Sequence, residues 1–157
     1  LAVGDSFPYP EARRAGVSMA LGTDGAGSNN SLDLMADLKS FALIQRHAAV
    51  DAEVIPIAEA WAIAAGQRSK LIGNLGRPEV PASDPLTVGA PADFLVLDPA
   101  APELAVGDMT SNLVYATGGG AVRDTVVDGR ILMRDRQVDD QEEILVRARE
   151  RAARLGL

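Results

Sequence analysis

The sequence predicts an α/β fold that changes character partway along. Three observations carry this reading. Residues 8 to 47 run helix, strand, polar turn, helix; residues 73 to 91 are crowded with Gly and Pro; beyond them, short apolar runs flank a hairpin signal and lead into a charged helix. The first pattern is the grammar of an α/β barrel or sheet. The last is that of a small β layer closed by a helix.

Each element has a local reason. PYPEARRAG (8–16) predicts a short helix, with Pro near its start, Glu11 early, Arg13 and Arg14 late, and Gly16 as the C-terminal stop. VSMALG (17–22) predicts a strand of the continuous apolar kind found in parallel sheets. In SLDLMADLKSFALIQRHAA, Ser31 is the expected N-cap, and Leu34, Leu38, Phe41 and Ala42 share one helical face. IPIAEAWAIAAGQRS predicts another helix, with Pro56 in its first turn and Ile57, Ala60, Trp61 and Ala64 or Ala65 on the apolar stripe. After the Gly/Pro boundary, DFLVLD (93–98) and NLVYA (112–116) read as strands. TVVDGRILM (125–133) places two apolar arms around Asp128-Gly129, a strong hairpin signal because both turn positions need φ > 0. The last helix, about 139 to 155, opens on acids and closes on Arg147, Arg149, Arg151 and Arg154, matching the macrodipole at both ends.

Composition narrows the function. The chain has 157 residues, 47% of them apolar, enough for one packed core. A formal charge of −7 argues against nucleic acid or an anionic membrane surface as a partner. Without cysteine, disulfides and thiolate metal sites are excluded. No apolar run approaches the roughly 18 residues that span a bilayer, and the expected location is the cytoplasm. The chain opens LAVGDSF without an initiator Met, so its start is expected to have been processed, cut or never to have belonged to this reading frame.

The chemistry points to ALGTDGAGSNN (20–30), where an apolar run delivers one carboxylate, Asp24, to the start of a loop. Reactive groups in α/β folds collect where strands end. A carboxylate there can ligate a metal or accept a proton from an activated water. Ser28, Asn29 and Asn30 could orient it or bind a ligand. A turn that merely leads into the next helix suits the same residues equally well. The loop lacks the spacing of an EF-hand or a phosphate-binding glycine loop, and Gly118-Gly119-Gly120 reads as a flexible turn between two strands. His47, the only histidine, suits the C-terminal end of its helix; with no second His and no Cys to share a metal, a ligand role is poor, and nothing supports a Ser-His-Asp triad. Trp61 reads as core.

VSMALGTDGAGSNNSLD resembles the eighth barrel strand and following loop of the amidohydrolase superfamily, in the cytosine-deaminase-like branch of chlorohydrolases and methylthioadenosine/S-adenosylhomocysteine deaminases. LAVGDSFPY resembles that group's loop after strand seven, and LTVGAPADFLVLDP its "G-x-x-ADhhhhD" signature. NLVYATGGGAVRDTVVDGRILMRD resembles the strands returning to its small β-sandwich. The resemblance covers essentially the whole chain. It implies the last strand–helix units of a (β/α)8 metal-dependent hydrolase barrel (residues 1–76), part of a composite β-sandwich (77–138) and a closing helix (139–157). It also implies one divalent metal, most often zinc, held by a His-x-His pair, two further histidines and an Asp. Only the Asp maps here, onto Asp24, as metal ligand and proton acceptor.

A full barrel needs about 250 residues and a catalytic zinc three protein ligands. The expected partners are therefore the N-terminal part of the barrel, a small-molecule substrate and further copies of the protein. The expected reaction is hydrolytic deamination of an aminopurine or related N-heterocycle, or dechlorination, with the isolated chain inactive. The alternative is a non-catalytic module for assembly or binding, in which an unpaired VSMALG strand would drive self-association.

Overall fold

A computed structural model describes residues 5–66 and 86–156. The expected domain boundary at residue 76 and the tail of the helix running through QRS fall outside them.

The order is α1 (Tyr9–Arg14), α2 (Leu34–Ala49), α3 (Ile57–Ala64), β1 (Phe94–Leu97), a 3-10 turn (Pro102–Leu104), α4 (Met109–Tyr115), a second 3-10 turn (Gly119–Ala121), β2 (Val122–Val127), β3 (Arg130–Arg134), β4 (Gln137–Val138) and α5 (Gln141–Arg154). The four strands form one antiparallel sheet in chain order. None of the helices described is long and apolar enough to cross a membrane.

One cluster packs the helices on each other, and a second joins them to β1. Tyr9, Leu38, Ala42, Ile55, Ala60, Ile63 and Val114 form the first, with Tyr9 edge-on to Phe41 at 5.7 Å. Ala101, Leu104, Leu113 and Ala121 form the second, with Met35, Trp61 and Leu97 packed on it. Neighbours in α4, Leu113 and Val114, thus serve different clusters, and Trp61 touches both.

Several local expectations hold. α1 stops at Gly16 (φ 68), whose N–H bonds to Arg13 O while Val17 N–H bonds to Ala12 O, the paired closure of a left-handed stop. The β2–β3 turn uses Asp128 and Gly129 at φ 51 and 72. His47 lies in the last turn of α2.

Others are corrected. Residues 112–116, expected as a strand, lie mostly in α4: Asp108 caps it by accepting from Ser111 N–H, and its interior supplies Leu113 and Val114 to the two clusters. A five-residue apolar run carries too few periods to separate strand from helix, and burial decides. Gly118-Gly119-Gly120 therefore joins a helix to a strand instead of two strands. The N-cap of α2 is Asp33, whose Oδ1 accepts from Met35 and Ala36 N–H; Ser31 Oγ accepts instead from Asp33 N–H.

VSMALG forms no strand among the described residues. Met19 and Leu21 pack on the first cluster while Ala20, between them, and Gly22, after them, are exposed, the alternation of a strand without its ladder. Among the described residues, no backbone N–H from Ser18 to Asp24 reaches a protein acceptor. A strand exists only where a neighbour supplies hydrogen bonds, and none of the described residues does so.

Candidate active-site loop

Asp24 ends this extended run. Its backbone is left-handed (φ 59), a region that Asp tolerates better than most residues because its short side chain bonds locally. Here Oδ1 accepts from Gly25 N–H at 2.7 Å, and Thr23 Oγ donates to Asp24 O at 3.1 Å. Oδ2 carries no hydrogen bond among the described residues, and the residue is exposed. Gly25 O then accepts from Ser28 N–H and Asn29 N–H, closing the turn.

Beyond the turn, a hydrogen-bonded web leads into α2. Asn29 Nδ2 donates to Asp37 Oδ2 at 2.8 Å, and Asn29 Oδ1 accepts from both Ser31 N–H and Ser31 Oγ. Leu32 is again left-handed, at φ 49. For a leucine that costs about 1–2 kcal/mol, so the surroundings must hold it there. Asp33 follows. Besides capping α2 it accepts from Gly119 N–H at 2.8 Å through Oδ2, a contact spanning 86 positions of sequence. A Cβ at Gly118 or Gly119 would stand 3.2 or 3.3 Å from that carboxylate, so glycine permits the approach.

The loop thus brings Asp24, Ser28, Asn29 and Asn30 into one short segment. Asn29 is committed to the loop's own scaffold, whereas the Ser28 and Asn30 side chains bond to nothing among the described residues. Sequence reasoning missed Asp33 and Asp37. The signal available was Asp33 directly before Leu34, the first residue of the helical stripe, a cap as good as Ser31. Among the described residues, no three of His, Asp and Glu gather into a metal-binding group. Among the described residues Asp24 thus stands outside any such group. Two hollows beside α1, lined in part by Arg13, Asp51 and Glu53 and by Phe7, Glu11 and Gln45, do not include Asp24.

A charged cluster holds the sheet end near the glycine turn. Arg136 donates to Asp98 Oδ2 at 2.7 Å and to Gly120 O at 3.1 Å. Asp124 accepts from Asp135 N–H and from Arg123. The Arg136 hydrogen bond, helped by Ala100 N–H, holds the Asp98 carboxyl below the usual carboxylate range. The Asp135 N–H, and then Arg123, do the same for Asp124.

Residues 3–132 match the Amidohydrolase family, and the chain belongs to that family. It is 38% identical over 156 residues to a 5'-deoxyadenosine deaminase of Methanoregula boonei, covering 99% of this chain and 34% of that protein. It is 42% identical over 157 residues to a 5-methylthioadenosine/S-adenosylhomocysteine deaminase of Halobacterium salinarum, covering 95% and 35%. Among solved structures it superposes on a zinc-bound adenosine deaminase of Xanthomonas campestris with TM-score 0.76 at 29% identity, over 94% of this chain and 33% of the other. A zinc complex of the atrazine chlorohydrolase of Arthrobacter aurescens gives TM-score 0.72 at 26% identity, over 89% and 31%. The chain spans about a third of the length of each of these proteins.

Proposed function

We propose that this chain is the C-terminal third of a metal-dependent amidohydrolase that deaminates an adenosine derivative. In this reading residues 1–76 end a (β/α)8 barrel, 77–138 belong to a composite β-sandwich, and 139–157 close the chain. The observation that carries the proposal is Asp24. It sits at the end of an extended run whose N–H groups lack partners among the described residues, and one of its oxygens is free to act. Barrel strands from the rest of the protein would supply those partners. Exposed Val17, Leu43 and Ile44 support a covered face nearby. Further copies of the protein are the other proposed partners.

Asp24 fits one corner of a zinc site, the remaining ligands coming from that other part. Zinc supplies a nucleophile at neutral pH by acidifying water. The role of Asp24 Oδ2 is to take the proton of the attacking water and return it to the departing amine. Oδ1, tied to Gly25 N–H, fixes the carboxylate's orientation. Ser28 and Asn30 are free to hydrogen-bond substrate, and Asn29 holds the loop. Names of the relatives favour an adenosine derivative; the chlorohydrolase keeps dechlorination as a neighbouring chemistry.

The non-catalytic alternative draws on the absence of a three-donor cluster among the described residues. One experiment separates the two: zinc content and ammonia release from 5'-deoxyadenosine, measured on the full-length protein with and without Asp24→Asn. The proposal requires about one zinc per chain and a fall in turnover of at least roughly a hundredfold on substitution. A full-length protein that binds no metal and releases no ammonia would leave the assembly-module reading.

A further inference from the structure

We propose that Asp33 is a positioning residue, which fixes the Asp24–Asn30 loop by sharing one carboxylate between the N-terminus of α2 and the Gly119 turn. The inference rests on the active-site reading of Asp24 given above.

Three observations converge. Asp33 Oδ1 accepts from Met35 and Ala36 N–H, and Oδ2 from Gly119 N–H. Only a carboxylate offers acceptors in both directions; an amide would present a donor to one of them. The segment it closes is bracketed by two non-glycine residues in left-handed backbone, Asp24 at φ 59 and Leu32 at φ 49. Such conformations persist only where the surroundings over-determine them. Finally, the web from Asn29 through Ser31 Oγ ends on Asp33 N–H, so any displacement of Asp33 is passed back toward Asp24. The anchor itself is firm. Gly118 and Gly119 sit where a Cβ would press on Asp33, and Arg136 braces the same turn through Gly120 O. Orientation of a reacting group is sensitive to displacements of this kind.

Asp33→Asn is the selective perturbation, because Asn caps a helix as well as Asp does. With its oxygen on the helix, its NH2 faces the Gly119 donor. Gly119→Ala strains the same contact from the other side.

The test is hydrogen exchange of the amides from Gly25 to Ser31, with steady-state ammonia release, on the full-length protein carrying Asp33→Asn, Gly119→Ala or both. Loop amides are expected to exchange roughly tenfold faster, while those of Lys39 to Arg46 in α2 keep their protection. Turnover is expected to fall roughly tenfold with KM within about twofold. The double variant should add little to either single one, because both break one contact. The proposal is overturned if loop exchange is unchanged in Asp33→Asn, or if α2 loses protection as much as the loop, which would make Asp33 a cap and nothing more. Should the unsubstituted protein release no ammonia, the deaminase reading falls, and the exchange comparison alone still decides the role of Asp33.

Discussion

Replacing Leu38 by Ala in α2 tests the core on which the Asp24 loop rests. Leu38 is 1% exposed among Tyr9, Ala42, Ile55, Ala60, Ile63 and Val114. The substitution deletes three carbons, about 2.4 kcal/mol of transfer free energy at about 0.8 per buried methylene. The neighbours come from α1, α2, α3, α4 and the segment between α2 and α3, so they cannot collapse together into the space. A cavity contribution of roughly 1–2 kcal/mol follows. The expected loss is about 4 kcal/mol, a large share of the roughly 5–15 kcal/mol that stabilises a domain. Leu43, on the same helix, is 47% exposed and is the internal control, because helix propensity changes identically in both. Leu43→Ala should cost under about 1 kcal/mol. Urea unfolding of the 157-residue chain at a common m-value measures both. A loss below about 1.5 kcal/mol at Leu38, or equal losses at the two positions, would refute the assigned face of α2.

Two other perturbations lie outside the loop itself. Val50 ends α2 in left-handed backbone (φ 51) while 93% exposed, an unfavourable place for a β-branched residue. Val50→Gly should therefore stabilise the chain by roughly 1 kcal/mol, the relief of strain exceeding the added unfolded-state entropy. Scanning calorimetry should show a Tm a few degrees higher, and a lower Tm would contradict the strain. Asp98 and Asp124 are both held below the usual carboxylate range by their partners. A carboxyl depressed in the folded state contributes stability above its unfolded pKa of about 4 and loses it as pH falls through the folded value. The urea midpoint should accordingly drop below about pH 4, less steeply in Arg136→Met; identical slopes would remove Arg136 as the cause.

Local chemistry made some of this legible in the sequence. Gly16 stops α1, Asp128-Gly129 turns the hairpin, and Leu38 and Ala42 mark the buried stripe, because each depends on residues a few positions apart. Asp24 is singled out by family resemblance as much as by pattern. The second turn of the meander escaped notice: Asp135 and Arg136 both adopt positive φ without a glycine to announce it. Residues 112–116 misled because β-branched and aromatic side chains suit a strand, while the two clusters needed Leu113 and Val114 on a helix. The link from Asp33 to Gly119 could not be read at all. A carboxylate whose partner lies 86 positions away leaves no periodicity behind.

The two tight turns, Asp128-Gly129 and Asp135-Arg136, also set an order of assembly. They join β2, β3 and β4 through the shortest possible connections, so little chain entropy is lost in closing them. Hairpins of this kind form within microseconds. β1 reaches β2 only across residues 98–121, and α2 must find Gly119 from still farther away. The meander is therefore expected to nucleate first, with β1 and α4 following and α2 docking last. The loop that carries Asp24 would acquire its anchor only at the final step of folding, after nearly all of the described architecture is in place.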